Sequence, residues 1–147
     1  MTDTHSDVRF ARLLVVVATV AVFLIMSMTW YLDGDTMDGA ASGWGVLASM
    51  AGDKPGYAFA GYFSFVAVLA ALAAGAGVLQ LRQRWVCVVL SVLLALDAVG
   101  LLLIANPFDD DQGGEPLAAT WMAPVVLAFA AVVWGNLAGP LRKLSYE

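Results

Sequence analysis

Charge is what this sequence has least of. Only 13% of its 147 residues are charged, against 61% hydrophobic, where a soluble domain carries about 25% charge and 45–50% apolar residues. The mean hydropathy is +0.82. A chain of this composition cannot cover a water-facing surface with polar groups, so the apolar surplus is expected to face lipid. The length allows one compact unit, read here as a single transmembrane domain over residues 1–147.

Other scarcities exclude chemistry. A single cysteine, Cys87, rules out an intrachain disulfide. A single histidine, His5, falls in a polar N-terminal tail, and with one Cys and one His the usual zinc ligand set cannot be assembled. No metal site is expected. No glycine-rich phosphate loop follows a strand, and no Ser/His/Asp set can form in the membrane. The chain is therefore read as a non-enzyme without cofactors. A net charge of −5 gives no footing for a nucleic-acid partner. Cys87 reads as a small packing residue, since no second cysteine or activating base accompanies it.

What is present is four long apolar runs. Residues 10–32 hold only Arg12, 57–79 and 117–138 hold no charge, and 85–105 hold only Asp97. Each run has about 21–23 residues, or roughly 32–35 Å of helix, enough for a hydrocarbon core of about 30 Å. Backbone groups inside lipid must be satisfied within the segment, so the runs are predicted to be helices. The expected fold is an all-α integral membrane four-helix bundle. The first run is too long for a cleaved secretory signal and reads as a retained anchor.

Cations set the direction. Arg9, Arg12, Arg82, Arg84, Arg142 and Lys143 fall on one side of the runs and only Lys54 on the other. By the positive-inside rule both termini and the Gln80–Arg84 turn are cytoplasmic, in a prokaryotic plasma membrane. Outer loops 33–56 and 106–116 then hold Asp33, Asp35, Asp38, Asp53, Asp109, Asp110, Asp111 and Glu115. Trp30, Tyr31 and Tyr57 outside, with Trp85 and Trp134 inside, are expected to form aromatic belts.

Small residues suggest how the helices meet. Ala67, Ala71 and Gly75 recur every four positions on the second run, and Ala131, Gly135 and Gly139 on the fourth. Such stripes let backbones approach closely. They read as internal packing, with docking of a partner or a second copy as the alternative. Pro124 is expected to kink the fourth run or loosen one of its turns.

The first outer loop contains one periodic segment. Ser42–Ala51 reads as a short interfacial helix, with Ser42 as N-cap and Gly52 ending it. Trp44, Leu47 and Met50 would give it an apolar face, either closing the mouth of the bundle or docking an outside partner. The segment Asp33-Gly-Asp-Thr-Met-Asp-Gly resembles the start of a calcium loop, but Met37 occupies a ligand position and the closing glutamate is missing. Solvated acid is the better reading there and at Asp109–Asp111.

Asp97 is the most informative position. It falls roughly 12 Å inside the third run, with no Lys, Arg or His of this chain at comparable depth. Ser27, Tyr62, Ser64 and Thr120 fall at or somewhat above its level and offer hydroxyl partners. Three readings follow: a neutral or hydrogen-bonded acid, an acid met by a partner subunit's cation, or a relay in a transport path. The leading functional reading is a non-catalytic accessory or assembly subunit of a larger membrane complex, respiratory or transport. Its partners would be the bilayer, other membrane subunits and, as an option, further copies of the chain. The alternative is a small oligomeric channel or a proton- or cation-coupled carrier using Asp97. An enzyme acting on lipid ranks last.

Overall fold

The computed structural model describes residues 4–32, 41–52, 55–104, 115–116 and 118–144. These residues form helices α1 (Thr4–Ser27), α2 (Gly43–Gly52), α3 (Pro55–Ala76), α4 (Arg84–Ile104) and α5 (Ala118–Leu144). Short strands β1 (Thr29–Leu32), β2 (Ala41–Ser42) and β3 (Glu115–Pro116) stand between them. Helix dominates because the apolar runs carry no interior breaker apart from Pro124 and Pro140, and α5 continues through both. Three helical stretches are long and apolar enough to cross a membrane: Ser6–Ser27, Arg84–Leu103 and Ala118–Arg142. The described apolar stretch of α3, Gly61–Ala76, is shorter.

Packing is ring-like. α5 lies against α1 and α4, while α3 lies against α1 and α4 from the other side. The buried positions of α4 are Cys87, Leu90, Leu94, Asp97 and Leu101, spaced three or four apart, with Ala98 beside Asp97, which is one face of a helix. The opposite faces are equally apolar yet exposed, including Phe10, Leu13 and Phe23 on α1, Val88, Val92 and Leu103 on α4, and Val125 and Phe129 on α5. A helix hydrophobic all round belongs in a large core or in lipid. Here the outward faces have no protein over them, and lipid is the medium that suits them. The chain is a helical membrane protein.

Several helix boundaries differ from the predicted ones: α3 ends at Ala76 rather than at 79, and α5 runs on to Leu144 rather than stopping at 138. The first apolar run leaves helix after Ser27, and residues 29–32 become β1. The N-terminal segment read as a polar tail is helical from Thr4, so His5 belongs to α1. Residues 77–83 form the hairpin turn, with Gly77 N–H donating to Ala73 O and Leu81 N–H to Val78 O. Arg12 ties α1 to that turn: its Nη2 donates to Leu81 O at 2.8 Å.

The three strands make one sheet in the order β2-β1-β3, antiparallel throughout. Thr29 pairs with Ser42, Tyr31 with Ala41 and Pro116, and Leu32 with Glu115. Pro116 cannot donate to a ladder, which suits its place on an edge strand. The sheet was not expected from the sequence. It joins both loops read as outer ones, because β2 comes from the first and β3 from the second.

Trp30 pins this sheet to the helices. Its ring is 1% exposed, Nε1 donates to Ile25 O at 2.8 Å, and its carbonyl accepts from Thr120 Oγ1 at 2.6 Å. A Cβ on Gly43 would stand 2.6 Å from Trp30 Cε2, so only glycine lets α2 start this close to the ring. Their places at the ends of apolar runs predict aromatic belts for Trp30 and Trp134. Both are core residues, because the chain folds back over Trp30 and α5 turns Trp134 inward, whereas Trp85 is exposed.

Candidate functional site

α3 and α4 run side by side and bring one polar side chain each to their shared seam. Ser64 belongs to the buried stripe of α3 that continues through Ala67, Val68 and Ala71, and Asp97 interrupts the corresponding stripe of α4. Ser64 Oγ donates to Asp97 Oδ1. Asp97 is 1% exposed, and its Oδ2 is buried with no hydrogen-bond partner among the described residues. An ionised carboxylate held by a single hydroxyl in such a place is expensive, because desolvation is offset by one hydrogen bond alone.

The other hydroxyls named from the sequence serve elsewhere. Ser27 is exposed, donates to Phe23 O at 2.9 Å in its own helix, and accepts from Trp44 Nε1 at 3.4 Å. Tyr62 is 62% exposed and points away from the seam. Thr120 is spent on Trp30 O. Of the four, only Ser64 meets Asp97. Residue counting gave their depth but not the face of the helix on which each stands.

The small-residue stripes are consumed mostly inside the molecule. Ala67, Ala71 and Gly75 are buried, and a side chain at Gly75 would collide with Thr19 of α1. Thr19 itself donates back to Val15 O at 2.7 Å. On α5, Ala131 is buried, its carbonyl accepts from Ser91 Oγ at 2.6 Å, and a Cβ at Gly135 would stand 3.0 Å from Ser91 Oγ. Gly139 has nothing within 4 Å of its missing side chain. The two stripes thus mark the α1–α3 and α4–α5 seams, with their last member left open on α5.

α2 is the predicted loop helix, and Ser42 is its N-cap: Gly45 N–H donates to Ser42 Oγ at 3.3 Å. Its apolar face is turned inward. Leu47 is 1% exposed, and Trp44 is half-buried, edge-on to Phe65 at 6.1 Å between ring centroids and 80° between planes. Neither is laid out as a free docking surface, because packing against α1 and α3 uses both. The side chain of Met50 lies outside the described residues, as do the acidic segments 33–40 and 105–114.

Arg12, Trp30 and Thr19 carry structural roles that sequence reasoning did not assign. Arg12 could have been suspected from its place inside an apolar run, where an arginine needs an acceptor within reach. Among the described residues no group of three or more His, Cys, Asp or Glu side chains gathers. The chain matches no family model, no curated protein and no solved structure.

Proposed function

We propose that the protein crosses a prokaryotic plasma membrane four times, with both ends cytoplasmic, as a non-catalytic accessory or assembly subunit of a larger membrane complex. α3 is the span that completes the count. It carries no charge from Pro55 to Ala76 and, at 22 residues, is about 33 Å long. The basic residues Arg9, Arg12, Arg82, Arg84 and Arg142 fit a cytoplasmic face at the end where the 77–83 turn lies.

The observation that carries the accessory reading is the topology of the sheet. β1 ends where β2 and β3 begin, so segments 33–40 and 105–114 are rooted at the same end of it. Between them these segments hold Asp33, Asp35, Asp38, Asp109, Asp110 and Asp111, and Glu115 opens β3. Two stretches of the sequence rich in acid thus leave the sheet at the same end, and we read that end as the outer face. A surface of this sign suits the basic outer face of a partner subunit, of a respiratory or transport assembly for example, and fixes register more than it adds affinity.

Mild extraction followed by native mass spectrometry tests this reading. The expected result is a particle of fixed stoichiometry containing other polypeptides. A lone monomer across mild detergents overturns it, and a homo-oligomer alone replaces the host complex by copies of this chain.

A second reading, a small oligomeric channel or a proton- or cation-coupled carrier, is favoured by one observation, the buried and unpartnered Oδ2 of Asp97. Purified protein in liposomes would then move protons or cations, and Asp97→Asn would abolish the flux. An unchanged flux in that variant removes Asp97 from any such path.

A further inference from the structure

Among the described residues the buried polar side chains are Ser64, Asp97 and Thr120, and Thr120 is already bonded to the Trp30 carbonyl. Something must balance the remaining carboxyl, and three partners are chemically available: a fixed cation, a bound metal ion or a proton.

Among the described residues a fixed cation is not at hand. On α4 itself Arg84 stands thirteen positions away, about 20 Å along the helix, and the Cys87 thiol about 15 Å away. α2 and α3 contain no charged residue. On α3 Tyr62 points outward, and the side chain of Tyr57 lies outside the described residues. Arg142 and Lys143 stand at the far end of α5, and Asp7, Arg9 and Arg12 at the far end of α1, beside the 77–83 turn.

A metal ion fits no better. A hard cation takes about six oxygens, and the seam supplies one carboxyl and one hydroxyl, while the helical carbonyls around them are engaged in their own ladders. A proton needs neither a shell nor a counter-charge. A neutral carboxyl with one oxygen accepting a hydrogen bond is the least costly form of this side chain in an apolar interior.

We propose that Asp97 is a proton-binding site inside the helix ring. Ser64 donates to Oδ1, which acts as the carbonyl oxygen, the proton resides on Oδ2, and α2 covers the site toward the outer face. The cover follows from contacts. Trp44 of α2 packs on Phe65, the residue after Ser64, and reaches Ser27 at the end of α1, while Leu47 fills the interior below. This inference does not rest on the accessory reading, and native mass spectrometry judges that reading separately.

Infrared spectroscopy of the full chain in lipid bilayers at neutral pH tests the proposal. A protonated-carboxyl C=O band belongs to Asp97 if it vanishes in Asp97→Asn. In Ser64→Ala the band is expected at higher frequency, because a carbonyl stretch rises when its hydrogen bond is removed. That variant also carries the assignment should Asp97→Asn fail to fold. In D2O the isotope shift of the band is expected to be at least about tenfold faster in Trp44→Ala than in the unaltered chain, since opening is easier without the cover. A folded, unaltered protein with no protonated-carboxyl band overturns the proton site. A band that does not move in Ser64→Ala overturns the assignment of Oδ1, and equal isotope exchange in Trp44→Ala overturns α2 as the cover.

Discussion

Ser64 and Asp97, 33 positions apart in the chain, close on one another across the α3–α4 seam through a hydroxyl–carboxyl hydrogen bond. Removing the donor alone leaves a buried acid with no partner among the described residues. Ser64→Ala is therefore expected to lower stability by about 0.6–1.7 kcal/mol, the range of hydrogen bonds between helices in lipid. Replacing both partners by apolar residues, as in Ser64→Ala with Asp97→Leu, should restore or exceed the original stability, because no buried polar group is left over. Unfolding of the purified variants by a denaturing detergent, followed by circular dichroism, gives both numbers. A double variant weaker than Ser64→Ala would contradict this account of the seam.

Gly75 and Gly139 belong to matching stripes but sit in different surroundings. A side chain at Gly75 runs into Thr19, so Gly75→Leu must push α1 from α3 and is expected to cost about 1–3 kcal/mol. Gly139→Leu meets open space and should change stability by less than about 0.5 kcal/mol. The same unfolding assay compares them, and equal losses would show that the α1–α3 approach is not what Gly75 serves.

Trp30 combines a buried ring with a hydrogen bond. Trp30→Ala is expected to lose about 3–5 kcal/mol through the void it leaves. Trp30→Phe keeps most of the ring and loses the bond to Ile25 O, about 0.5–1.5 kcal/mol. Gly43→Ala collides with the same ring, so the cost of Gly43→Ala should shrink when Trp30 is already Phe. A strictly additive pair, measured as a double-mutant cycle, would mean the two positions are not coupled.

The four-span arrangement makes a sided prediction. With Cys87 replaced by Ala, a cysteine introduced at Arg82 should react with a membrane-impermeant thiol reagent only after the cytoplasmic side is opened. One introduced at Asp110 should react in intact cells. Labelling of both positions from one side would remove α4 from the spans, and a reversed pattern, with Arg82 reacting in intact cells, would count against α3.

The helices were legible because membrane-spanning helices are written in run length, and run length survives without knowledge of neighbours. Ser42 was legible as an N-cap because a cap is local, reaching three residues forward to Gly45. The sheet was not. β1 meets β3 across more than eighty positions, and β2 and β3 are two residues each, too short for any alternation to register. The site was half legible. Asp97 stood out by its charge, but a helix apolar on all sides did not show which way it faces. Its partner depended on how α3 is rotated, which four candidate hydroxyls at similar depth could not decide. Trp30 misled for a related reason: a tryptophan at the end of an apolar run fits an interfacial belt or a folded-back corner equally well.

The pairing of β1 with β3 also sets an order of events during synthesis. β1 follows the first helix, but its second edge stays open, and the Trp30 carbonyl lacks its hydroxyl donor, until residues 115–120 have left the ribosome. Helices α1 to α4 are therefore all made before the sheet can close. A nascent chain halted between α4 and α5 would keep that edge bare.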